Sequence, residues 1–305
     1  MATITALISY PIKSCKGIEL SETRLTAAGL AHDRAFMVVG PDGVFRSQRR
    51  DPRLALIQPD IDAAGRQLTL HAPDADPIRI TVDATGIPRP VTLFGTGYRG
   101  IDQGDRVARW LTEVLDAPSR LVRVPPDHHR ITDGLTPGTS GYADSCPVHL
   151  ISTESLAHLN DLIAARGGNP VPMSRFRLNI VVEGWPEPYR EDLALRIAVA
   201  DAELGYAKPA IRCVITMVDQ LIGTRTGPEP LRTLATYRRA DGGVAFGAKF
   251  AVPRPGRIAV GDECTVTAVG PASVRRPMAR TSSAEGACRG CRPVPGLAGP
   301  GLPGR

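Results

Sequence analysis

The sequence predicts a mainly β, α+β protein built on barrels or sandwiches, with a few short helices. Three observations predict it. The first hundred residues are brief runs rich in Val, Ile, Leu and Thr, separated by turn residues such as Pro41-Asp42-Gly43. The same texture returns between Asn179 and Val269. Clear helical periodicity is confined to two short stretches between these regions, which leaves strands to carry the fold.

In chain order, strands are expected at residues 4–10, 20–26, 35–39, 54–58, 67–70, 78–82 and 91–94. Asp105 then opens a helix that sets Val107, Leu111, Val114 and Leu115 on one face and ends before Pro118. A second helix starts near Ser152, places Leu156, Leu159, Leu162 and Ile163 together, and stops at Gly167-Gly168. Strands follow at 179–182, 196–199, 203–206, 212–216 and 264–269, interrupted by a helical segment around 231–238. A polar, turn-rich stretch at 125–140 suggests a division into domains 1–125 and 126–270. From Pro293 to Arg305, eight of thirteen residues are Gly or Pro, so 271–305 is expected to be a disordered basic tail.

The formal charge of +6 resides mostly in that tail, which has six arginines against one acid. The body is therefore near neutral, and the tail has no aromatics on which bases could stack. Both points argue against nucleic-acid binding. No apolar run is long enough to cross a bilayer, and the first residues lack a secretory pattern, so a cytoplasmic protein with no membrane contact is expected. The six cysteines are then free thiols rather than a disulfide framework.

Several motifs invite a chemical reading. Gly95-Thr96-Gly97-Tyr98-Arg99-Gly100 matches a dinucleotide fingerprint. The following helix starts too late for it and no acidic residue ends a following strand, so a turn is favoured. Cys288 and Cys291 form a lone pair with no second pair at zinc spacing, and His128-His129 has no ligand partner. Arg212-Cys213 is different: a cation beside a cysteine favours the thiolate, a soft donor for a transition metal. Read alone, the pattern also fits a buried structural cysteine. Tyr10-Pro11-Ile12-Lys13-Ser14-Cys15-Lys16-Gly17 suits a solvated loop or one that grips a phosphate. Arg34 and Arg177 add guanidinium donors suited to a planar anionic ligand.

Taken in order, these pieces resemble the MOSC family, and within it the two-part proteins of the amidoxime-reducing type. The resemblance runs from about Ile4 to Val269. It is carried by the lysine-bearing first turn, Leu25 through Leu30 with Asp33-Arg34, and Tyr142 through Pro147 with Leu150-Ile151-Ser152. Phe176 through Asn179, Arg212 through Thr216, Pro230 through Arg238, and Pro255 through Ile258 with Val260-Gly261-Asp262 complete it. It implies an N-terminal β-barrel-like region, a MOSC β-barrel domain, and a pterin-dithiolene molybdenum cofactor held between them.

On that resemblance Cys213 ligates molybdenum, and Lys13, Ser14 and Arg34 hold the cofactor's anionic tail and pterin. Ser145, Arg177, Asn179 and Arg212 complete the cage, and Asp144 handles protons near the metal. Two positions depart from the family pattern. Ala210 stands where many relatives have a second cysteine, and Ile211 stands where a small polar residue is common. The implied activity is reduction of small N-hydroxylated substrates, with electrons from a separate ferredoxin- or flavoprotein-type donor, since the two tail cysteines cannot hold an iron–sulfur cluster. The alternative is a non-catalytic carrier of the cofactor or a protein handling its sulfur. No pyridoxal phosphate is expected, because the chain has no room for an aminotransferase-like domain.

Overall fold

Seven strands close into a barrel, numbered here in chain order: β1 (Ala2–Ser9), β2 (Val148–Ser152), β3 (Ile180–Glu183), β4 (Ala194–Val199), β5 (Ala202–Arg212), β6 (Gly243–Arg254) and β7 (Glu263–Val269). The computed structural model describes residues 1–271. Around the barrel the order is β2-β3-β1-β7-β4-β5-β6, and β6 pairs back onto β2. Closure leaves the seven strands without a free edge. Neighbours are antiparallel except β2 and β3. A parallel pair needs a crossover, which helix Thr153–Ala164 supplies, capped by the Ser152 hydroxyl accepting from the Ser155 N–H.

The barrel is filled by apolar, mostly aliphatic residues, among them Ile4, Leu7, Val148, Leu150, Ile180, Ile197, Leu204 and Phe250. The region between β1 and β2 forms a four-stranded and a three-stranded sheet. Both pack with helix Asp105–Leu115 around Phe36, Leu68, Leu70, Ile78, Val107, Leu111 and Leu121. Sheet pairing crosses residue 125 three times, twice through β1. Strand β1 lies in the seven-stranded barrel, and Gly256–Ala259 pairs with Glu22–Thr26. No helix among the described residues is long and apolar enough to cross a membrane.

Two expected strands take other forms. Residues 54–58 were read as extended, but Pro52–Leu56 is a 3-10 helix with proline in its first turn, where a fixed φ and a missing N–H cost nothing. Residues 203–206 and 212–216 are not two strands. One strand runs to Arg212, with Pro209 taken up at a register shift, and the chain then turns at Cys213 into the 3-10 helix Val214–Met217. The helix at 231–238 is limited to Leu231–Leu234. Gly95 sits in the turn of a hairpin between Pro88–Leu93 and Thr96–Asp102, and the rest of its motif lies in the second of those strands. The Gly/Pro-rich tail, with Cys288 and Cys291, lies outside the described residues.

Candidate active site

At one end of the barrel the first turn, the loop before β2, the end of β5 and the 3-10 turn before β3 meet around a cleft of about 130 Å3. Three non-glycine residues with left-handed backbone bring their side chains there: Ser14 (φ 69°), Arg34 (φ 48°) and Arg177 (φ 52°). That conformation costs an L-residue about 1–2 kcal/mol, and such strain gathers where a side chain must point in one direction. Local bonds hold it. The Tyr10 N–H donates to Asp33 (2.8 Å), the Arg34 N–H to the Tyr10 carbonyl (2.8 Å), and the Lys13 N–H to the Phe36 carbonyl (2.8 Å).

Arg34 is clamped by Asp33 at 2.7 and 2.6 Å and donates to the Arg177 carbonyl at 2.9 Å. The guanidiniums of Arg34 and Arg177 lie over the Tyr10 ring at 4.3 and 4.4 Å. Asn179 lines the cleft, yet its amide is taken up by the frame: it donates to the Ile8 carbonyl and Asp33 and accepts from the His149 N–H. Arg212 leaves β5 to donate to the Phe176 carbonyl at 2.8 Å. The Cys213 carbonyl accepts from both the N–H and hydroxyl of Thr216, at 3.1 and 2.9 Å, which fixes the turn that holds the thiol.

Of the nine residues expected at the site, eight line this cleft: Lys13, Ser14, Arg34, Asp144, Arg177, Asn179, Arg212 and Cys213. Ser145 does not. Its hydroxyl accepts from Lys249 Nζ at 2.6 Å and so positions a lysine that sequence reasoning missed. Arg49, His149 and Lys249 also line the cleft unforeseen. Lys249 did leave a signal, as a lone charge among Phe246, Ala248 and Phe250 in a run of buried residues. His149 stands opposite it across β2 and β6. Gly247 permits that approach, because a Cβ there would meet His149 Nε2 at 2.7 Å.

The lining carries six cations, Lys13, Arg34, Arg49, Arg177, Arg212 and Lys249, against the carboxylate of Asp144. Burial drives the Lys13 ammonium below its ordinary range, opposed by the charge of Asp144, to which it is ion-paired. Burial likewise lowers Lys249 to about 8 and holds His149 neutral, with Arg212 adding repulsion to both. For Asp144, desolvation raises the carboxyl, but the charges of Lys13 and Lys249, the bond from Lys13 and the charge of Arg49 outweigh it. They hold it well below the carboxylate range. Expected as a proton-handling group, Asp144 is an ionised partner of two cations and a poor proton donor at neutral pH. Among the four described cysteines, Cys15, Cys146 and Cys264 are buried, and only Cys213 is half-exposed.

The segment 1–118 matches the MOSC N-terminal beta barrel domain, and 137–265 matches the MOSC domain. The chain belongs to the MOSC family. This MOSC chain is 36% identical over 285 residues to mitochondrial amidoxime reducing component 2 of Rattus norvegicus, covering 86% of this chain and 82% of the relative. It is 33% identical over 283 residues to mitochondrial amidoxime-reducing component 1 of Homo sapiens, with the same shares covered. It is also 32% identical over 273 residues to the molybdenum cofactor sulfurase of Danio rerio, covering 82% of this chain and 32% of that longer protein. The two MOSC segments abut on the cleft: Lys13, Ser14 and Arg34 come from the first, and Asp144, Arg177, Arg212 and Cys213 from the second.

Proposed function

We propose that this MOSC protein holds a pterin-dithiolene molybdenum cofactor with the Cys213 thiolate as metal ligand, and reduces N-hydroxylated compounds with electrons from a separate donor. The observation that carries the reading is a half-exposed thiol inside a cleft ringed by six cations. The donor set fits such a group. Arg49 Nη1 and Arg212 Nε are buried without a hydrogen-bond partner in the described residues, so each retains a donor for an anion. Among those residues no cluster of three or more His, Cys, Asp or Glu could hold a metal ion. A metal on Cys213 would therefore need further donors that the His, Cys, Asp and Glu side chains of the described residues do not supply, as a bound dithiolene would.

When bound, the cofactor supplies the two-electron redox chemistry that turns N–OH, two electrons and two protons into N–H and water. Lys13, Ser14, Arg34 and Arg177 hold the anionic part, with guanidiniums pre-set by Asp33 and the Tyr10 ring. Asp144 orients Lys13 and Arg49. Lys249, held by Ser145, adds a charged contact to the bound anion and is the proton donor best matched to neutral pH.

Metal analysis of purified protein tests the ligand. Wild type should carry about one molybdenum per chain and Cys213→Ser almost none. With a chemical electron donor and a model amidoxime, wild type should turn over and Cys213→Ala should not; equal rates would defeat the reductase reading. The similarity to molybdenum cofactor sulfurase supports a second reading, a carrier or sulfur-handling protein. Molybdenum that leaves for an apo-acceptor instead of staying through turnover would favour it.

A further inference from the structure

We infer that the arginine-rimmed apolar surface at the mouth of the cleft docks a small acidic electron-carrier protein. This rests on the reductase reading, which requires electrons from outside the chain. Two segments build the surface: residues 47–56, and the hairpin of Val218–Asp219 and Thr224–Arg225. They are locked together. Gln48 and Gln220, both buried, exchange reciprocal amide bonds at 3.0 and 2.9 Å, and Arg225 donates to the Arg49 carbonyl at 2.6 Å. Gly223 (φ +63°) lies so close to Leu56 that a Cβ would meet its side chain at 2.9 Å. The hairpin tip is thus held in place, with Leu221 78% and Ile222 59% exposed. Arg49 joins tip and cleft: it lines the cleft and lies over the ring of Phe94, itself 45% exposed.

The charges around these apolar groups are one-sided. The nearby carboxylates are committed, Asp51 to Arg46, Asp144 to Lys13 and Arg49, and Asp219 to Arg175. Arg53 and Arg225 are exposed, and neither has a carboxylate partner among the described residues. A small anion would be served by the arginines alone and gains nothing from two solvated aliphatic side chains on a convex tip. A protein with an acidic rim gains from both: the charge steers the encounter and the apolar contact gives it a short lifetime. Electron-transfer encounters use small surfaces of this kind, below about 1,200 Å2. Docked here, a carrier would bring its redox centre to the opening that leads to Cys213.

The test measures binding directly, with an oxidised plant-type [2Fe–2S] ferredoxin and a flavodoxin as acidic probes. At low salt, wild type should bind at least one of them, and raising the ionic strength to about 0.5 M should weaken binding at least tenfold. The R53E variant should weaken it about threefold, and L221S/I222S by about fivefold. Both variants should retain the wild-type molybdenum content and the wild-type rate with reduced methyl viologen, a donor too small to need the surface. Absence of binding to either probe at low salt, binding that charge reversal leaves unchanged, or a wild-type dimer abolished by L221S/I222S would each overturn the proposal. Because binding is read without turnover, an inert wild type with methyl viologen would count against the reductase reading while the docking result stood by itself.

Discussion

Lys249 lies in a barrel wall among Phe246, Ala248 and Phe250, where an ammonium group keeps its charge only if polar groups answer it. Here the Ser145 hydroxyl and the charge of Asp144 do so, against burial and the repulsion of Arg212, and the balance falls at about 8. Its pKa is lowered, so the group is charged below about 8 and loses its charge as pH rises through that value. An anion held partly by this lysine should loosen over the same interval. Between about pH 7 and pH 9 we expect wild-type molybdenum retention after dialysis to drop, with up to about tenfold weaker cofactor binding for one lost charged contact. Lys249→Arg should hold its charge and flatten that dependence; the same fall in the variant would remove Lys249 from the site. The cleft-lining residues in the first turn and before the strands were legible, because Lys13, Ser14, Arg34 and Arg177 stand in polar, turn-rich segments. Lys249 and His149 were not, because strand alternation does not tell which side of a closed wall faces the cleft until the closure is known.

At the scale of elements, the decisive piece is the end of β5. The sequence reads there as a strand over 212–216, on the strength of Cys213, Val214 and Ile215 in a row. A side-chain bond decides otherwise. Thr216 is buried and donates its hydroxyl to the Cys213 carbonyl at 2.9 Å, closing a 3-10 turn that no propensity announces. Thr216→Val keeps the volume and removes that bond. It should cost about 1 kcal/mol of stability, seen as a small fall in the chemical denaturation midpoint. Its larger effect should be on the thiol's placement, with molybdenum content falling severalfold. Unchanged metal content in a correctly folded Thr216→Val would show that the turn does not position Cys213. The misread segment at 54–58 has the same origin: Pro52 and a local backbone bond from Ile57 to Leu54 outweigh the β-like composition of Leu54 through Gln58. The two longer helices were legible because an apolar stripe repeats over eleven or twelve residues.

At the scale of the whole molecule, the described residues are joined by strand pairing across both MOSC segments and by a buried polar network beneath the helix Thr153–Ala164. Arg238 and Asp192 form a fully buried ion pair at 2.7 Å, and Glu191 beside them accepts from the hydroxyls of Ser152 and Ser155. Burial, then the charge of Asp192, pushes the Glu191 carboxyl up to about 7. The sign follows from proton counts. Between the ordinary glutamate value of 4.5 and about 7 the folded protein keeps a proton that the unfolded chain has released, so raising pH across that window disfavours folding. Glu191→Gln mimics the protonated form and has no proton to lose. Measured side by side, the thermal midpoint of the variant should gain on that of wild type as pH rises from about 4.5 to about 7, and the gap should stop growing above it. A gap that stays flat across that interval, with wild type gaining on the variant only as pH rises towards about 4.5, would mean that Glu191 is ionised in the folded state and stabilised by Arg238.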